Sequence, residues 1–132
     1  MKKQELAVLE ANEAFYLAFT NHDMTSMQTL WSEQHEIVVI HPGWPPFQGR
    51  ESVMYSWRQI LTGEGSSKIT CHNANATILG DVALVVCTEL VANTELVATN
   101  TFVLEADRWR LVHHQAGPLP QRDDIHEGDI LH

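Results

Sequence analysis

The stretch IVVIHPGWPPFQGRESVMYSW, residues 37–57, changes its periodicity partway along. Ile37 to Ile40 is a β-branched run and reads as a short strand. It ends at His41-Pro42, because proline has no N–H with which to continue a ladder. Pro42, Pro45 and Pro46 then fix φ around Gly43-Trp44, so the loop is stiff. From about Arg50 to Thr62 the apolar residues recur at helical spacing, with Val53, Trp57, Ile60 and Leu61 as the inward stripe. Gly63 suits the position just past that helix.

The flanking segments fix the class. On the N-terminal side, Val8, Ala11, Phe15, Ala18 and Phe19 form one stripe of a helix running from Gln4 to Asn21. Asp23 can cap a second, short helix carrying Met27, Leu30 and Trp31. On the C-terminal side, a flexible Gly63-Glu64-Gly65-Ser66-Ser67 leads into four strands at about 68–78, 81–92, 96–105 and 108–116. Short connections such as Gly80-Asp81 and Ala106-Asp107 join them. The order α-α-β-α-β-β-β-β predicts an α+β fold. Three N-terminal helices lie on one side of a strongly curved, mainly antiparallel sheet and enclose a conical cavity. Residues 1–120 form this domain, and the acidic, aperiodic residues 121–132 form a loosely ordered tail.

Composition removes several classes of function. The 132 residues, 44% of them hydrophobic, suit one domain. A net charge of −9, with eight scattered Lys and Arg, excludes a nucleic acid or an anionic membrane as partner. MKKQELAVLE is broken by Glu5 and Glu10, and is neither a signal peptide nor a membrane span. Cys71 and Cys87, without a CxxC spacing, read as reduced packing residues of a cytoplasmic protein.

A few residues carry chemistry. His41, where the strand meets the mouth of the cone, is a candidate acid/base or a donor to a ligand carbonyl; the alternative is a ring bonded to the backbone. Trp44 is a cover for a pocket or a contact to a second subunit, with plain surface packing as the remaining alternative. His113 and His114 are adjacent in a strand and face opposite ways, so they cannot ligate one metal together. In a regular strand Trp109 and Leu111 travel with His113, and Arg110 and Val112 travel with His114. Asn100 orients a ligand or satisfies the backbone. Met54, Trp31 and Trp57 are at helical spacing and are core residues whose surfaces can also line the cone. Glu89, inside an apolar run, is the one strand carboxylate that reads as buried. No ligand spacing supports a metal, and no cofactor is expected.

Five segments together resemble the NTF2-like superfamily, in its SnoaL-like (DUF4440-type) branch. They are Phe19-Thr20-Asn21-His22-Asp23, His41-Pro42-Gly43-Trp44, Gly49-Arg50-Glu51-Ser52-Val53, Thr99-Asn100-Thr101-Phe102, and Trp109 to Ala116. The ending Trp109-Arg110-Leu111-Val112-His113 is also similar to the association domain of calmodulin-dependent kinase II. The residues and the resemblance together give the expectation of a homodimer and of a small apolar, carbonyl-bearing molecule in the cavity. Isomerase, dehydratase, cyclase or hydrolase chemistry would fall to His41, His114 or Glu89, with Trp44, Met54, Trp57, Asn100, Trp31 and His113 binding. The resemblance favours His114 inside, because the kinase relative carries its cavity arginine at the position of Ala116. The second reading is a non-catalytic oligomerisation or regulatory module.

Overall fold

The computed structural model describes residues 2–63 and 68–119; the proposed tail and most of the glycine-serine connection lie outside them. Two helices come first, α1 (Lys2–Thr20) and α2 (Met24–Leu30). The strands β1 (Val38–Ile40) and β2 (Phe47–Gln48) follow, then α3 (Arg50–Thr62). Four long strands follow among the described residues: β3 (Ile69–Leu79), β4 (Val82–Val91), β5 (Thr94–Glu105) and β6 (Arg108–Pro118). The helices pack against one curved, unclosed, mixed sheet. Its order is β2-β1-β6-β5-β4-β3. Among the described strands only β1 and β6 run parallel. No described helix is long and apolar enough to cross a membrane.

Local chemistry sets the elements. Asp23 caps α2 by accepting from the Ser26 N–H at 3.1 Å. Gly49 caps α3 at φ 89°, a conformation that favours glycine. The far end of α3 differs from expectation: Gly63 is extended, at φ −68° and ψ 144°, instead of left-handed. A Cβ there would meet the Gln59 carbonyl at 2.9 Å, so close approach explains the glycine. The β4–β5 and β5–β6 turns place Ala92-Asn93 and Ala106-Asp107 at positive φ, as a tight I′-type connection requires.

The loop after His41 also holds a short strand that its prolines argued against. Phe47 and Gln48 fold back as β2 and pair antiparallel with Val39 and Val38. The Gly49 N–H donates to the Ile37 carbonyl at 2.8 Å. The rim is therefore a closed hairpin, its two ends tied together.

The phase of β6 also departs from regular alternation. Phe102 pairs with Leu111, yet Thr101 pairs with His113, leaving Val112 as an extra residue. A bulge of this kind restarts the alternation. Trp109 and Leu111 consequently share the inner face with His114 and Ala116, all four buried, and not with His113. Against this face pack Val8, Phe15 and Ala18 of α1, and Val53, Trp57 and Leu61 of α3. Among these apolar residues a few polar side chains are also buried, including Asn12, His41, Ser56, Glu89, Asn100 and His114.

Candidate functional site

Strand β1 delivers His41 to the inner face, where it is buried. Its ring stands edge-on to Trp57, with centroids 4.7 Å apart, and to Trp44 at 5.2 Å. His41 Nε2 lies 2.9 Å from the Ser56 hydroxyl. That hydroxyl spends its proton on the Val53 carbonyl at 2.7 Å. His41 must therefore donate from Nε2, and Nδ1 keeps the lone pair. Burial lowers its pKa to about 4, so the ring is neutral at neutral pH.

The β6 bulge turns His114 inward, 6.3 Å from His41 by ring centroids. Its Nδ1 lies 2.5 Å from Asn100 Oδ1. The Asn100 amide nitrogen donates to Asn12 Oδ1 at 2.8 Å and to the Tyr16 hydroxyl at 3.1 Å. Both amide protons are used, so the carbonyl oxygen faces His114 and holds it as the Nδ1–H tautomer. Burial, with His41 and then His113 adding to it, lowers the His114 pKa to about 3.

Glu89 completes the group. It is 2% exposed, and its Oε2 lies 3.9 Å from His114 Nε2. The Tyr16 hydroxyl donates to the same oxygen at 2.6 Å. Burial raises the Glu89 pKa to about 7, against the pull of the Tyr16 bond. Tyr16 itself is pushed far above its ordinary range, first by burial and then by the Glu89 charge.

Glu89, His41 and His114 face a cavity of about 340 Å³, with Trp44 at its rim. Phe19, Ile60 and Leu96 supply apolar wall. That size suits a small ligand. A larger hollow of about 760 Å³ lies between α1 and β3, lined by residues including Leu9, Leu17 and Cys71, with Asn12 and Tyr16 in its wall. It holds none of the two histidines and Glu89; the Tyr16–Glu89 bond joins the walls of the two hollows. Among the described residues, no three potential metal ligands converge.

Other candidates sit around this centre. Trp57 packs against His41, His114, Phe15 and Phe19 and is fully buried. Trp31 lies one ring further in, 6.3 Å from Trp57 by centroids. Met54 is buried on α3 outside the cavity wall. Asn100 stands behind His114 with its amide committed. His113 faces away and donates from Nδ1 to the Val38 carbonyl at 2.9 Å. Sequence reasoning missed Asn12, Tyr16 and Ser56. The one available signal was the spacing of Asn12 and Tyr16, one turn apart beside the apolar stripe of α1, which does not by itself show that they are buried.

A family model for the SnoaL-like domain matches residues 8–120. The chain belongs to the SnoaL-like family. Its fold is shared with a candidate dehydratase of the NTF2-like family from Streptomyces avermitilis, at 29% identity and a TM-score of 0.83, covering 91% of this chain and 99% of that one. A candidate calcium/calmodulin-dependent protein kinase type II association domain from Thiobacillus denitrificans is 28% identical, with a TM-score of 0.74, covering 83% and 93%. The CaMKII hub of S. rosetta, 19% identical over 87% of this chain and 96% of that one, shares the fold at a TM-score of 0.70. No curated protein matches the sequence. As a SnoaL-like domain, the chain places one carboxyl and two imidazoles in the wall of one cavity.

Proposed function

We propose that this SnoaL-like chain is an acid–base enzyme of the dehydratase or isomerase type, acting on a small, largely apolar molecule held in the cavity. The observation that carries the reading is Glu89: a buried carboxyl with a pKa near neutrality, facing a cavity beside two neutral imidazoles. A proton-transfer group works best when its pKa lies near the working pH. Glu89, at about 7, meets that condition; His41 and His114, at about 4 and about 3, do not. Magnitude thus assigns the proton to Glu89 and makes the imidazoles hydrogen-bonding partners.

In a dehydration, ionised Glu89 takes the proton from a carbon next to a carbonyl. It then returns that proton to the neighbouring hydroxyl. The C–O bond breaks, a C=C bond forms and water leaves. In an isomerisation the same carboxyl returns the proton to a different carbon. Either cycle leaves Glu89 as it began and needs no second acid. The likeness to the Streptomyces avermitilis protein supports the first version.

The test is turnover of a panel of small β-hydroxy carbonyl compounds, followed by ultraviolet absorbance of the conjugated product. Glu89→Gln is expected to lower the rate on any compound processed by 10²-fold or more, an estimate from general acid–base contributions. A variant that keeps full turnover overturns the role.

The second reading is an assembly module, favoured by the 28% identity to the kinase association domain and by the outer sheet face. Leu79, Val82, Val86, Leu90 and Val97 are exposed there. The register places all five on one side. This face fits a homodimer contact, compatible with catalysis inside each cone. The chain then works in the cytoplasm, where Cys71 and Cys87 stay reduced.

A further inference from the structure

The acid–base reading leaves open what the substrate must offer, and the hydrogen-bond network decides this. The inference rests on that reading of the cavity. Each imidazole has its proton committed away from the ligand. His41 donates Nε2–H to Ser56, whose own proton is on the Val53 carbonyl. His114 donates Nδ1–H to Asn100, whose amide protons are on Asn12 and Tyr16. The atoms left, His41 Nδ1 and His114 Nε2, are both lone pairs. Glu89 Oε2 already accepts from Tyr16. Among the residues lining the cavity, the side-chain donors available to a ligand are the Glu89 carboxyl in its acid form and the Trp44 indole N–H at the rim.

A ligand presenting only a carbonyl finds no imidazole donor deep in this site, and with Glu89 ionised, as proton abstraction requires, its lone pairs meet only lone pairs there. We propose that the cavity selects a substrate whose reacting group carries its own proton, an alcohol or enol hydroxyl, seated between His114 Nε2 and Glu89. The spacing fits. An oxygen at an ordinary hydrogen-bond length of about 2.8 Å from both atoms closes a triangle over their 3.9 Å separation. The hydroxyl donates to Nε2 and stays beside the carboxyl that protonates it on departure. His41 Nδ1 can take a second hydroxyl. Any carbonyl of the substrate is left to the Trp44 side, where the rim donor sits.

Two measurements on the wild-type chain test this. Long-range ¹H–¹⁵N correlation spectra report the tautomers, expected as Nδ1–H for His114 and Nε2–H for His41. Calorimetric titration with cyclohexanol, cyclohexanone and methoxycyclohexane reports the donor requirement. The alcohol is expected to bind about tenfold tighter than either acceptor-only analogue, the worth of one well-placed hydrogen bond. His114→Leu is expected to abolish that preference while retaining affinity for the ring; should that variant fail to fold, the wild-type series still decides. Either ring in the opposite tautomer, or a ketone bound as tightly as the alcohol, overturns the substrate class and leaves the ligand cavity standing. Binding of none of the three probes, with both tautomers in place, overturns the acid–base reading and this inference with it.

Discussion

The Tyr16 hydroxyl donates a 2.6 Å hydrogen bond to Glu89 Oε2, tying the first helix to the fourth strand at the wall of the cavity. The bond favours the carboxylate, opposing the burial that favours the acid. Tyr16→Phe removes it and also leaves one Asn100 N–H without its phenol acceptor. The Glu89 pKa is expected to rise above 7, measured by ¹³C titration of the carboxyl carbon. Urea unfolding should show a loss of about 1–3 kcal/mol, the cost of orphaning buried polar groups.

Stability should depend on pH through the same groups, with opposite signs. Glu89 in the fold keeps a proton up to about pH 7, whereas its ordinary value is 4.5. Its contribution is fully present below pH 4.5 and is lost as pH rises toward 7. The two histidines stay neutral in the fold down to about pH 4 and about pH 3, but charge below 6.5 when unfolded. Their contribution is present above pH 6.5 and is lost on acidification. Two imidazoles outweigh one carboxyl, so unfolding free energy should fall below pH 6.5. Glu89→Gln isolates the carboxyl. From pH 4.5 to 7 the variant should gain on wild type by up to about 1.4 kcal/mol per pH unit. Above pH 7 the difference should be constant, as read by urea melts at each pH.

Trp44 is 38% exposed and packs edge-on to His41 and Phe47, whereas the exposed apolar strand residues lie on the sheet's outer face. Trp44→Ala should cost less than about 1 kcal/mol of stability, as a partly exposed loop residue. It should weaken cyclohexanol binding several-fold and leave sedimentation unchanged. In the proposed homodimer Val86→Asp should do the reverse: monomers in the ultracentrifuge, with the cavity titration unaltered. A Trp44→Ala monomer would move the subunit contact to the rim.

The extra residue in β6 makes an unusual deletion tolerable. Removing Val112 joins Leu111 to His113, the two residues already paired with neighbouring Phe102 and Thr101. Alternation then becomes regular while His114 still points inward. The deletion variant should fold and keep the His114 tautomer signal. Removing Gln115 instead turns Ala116 outward, and should cost several kcal/mol by exposing part of the core.

Most of the fold was legible because its signals are local and periodic. The α3 stripe, the four long strands and the Asp23 cap each announce themselves within one turn or one alternation. Strand β2 did not, since two residues cannot display a period and Pro45-Pro46 beside them argue against pairing. The site was legible in part. His41, Trp44, Glu89 and His114 stood out as chemistry in unusual places, and the structure lines one cavity with them. Asn12, Tyr16 and Ser56 did not stand out, because polar residues on a helix look solvated until the partner strand or helix is placed. The role of Asn100 rests on contacts to residues 84 and 88 positions away in the chain, and no short window contains that information.

The Val112 bulge matters for how this chain is matched to its relatives. A gap-free alignment of its last strand with a relative lacking that residue would put His113 in the place that His114 fills. Site residues transferred along such an alignment would name the ring that donates to Val38 on the far side of the strand. A single gap at residue 112 decides which of two adjacent histidines inherits a role.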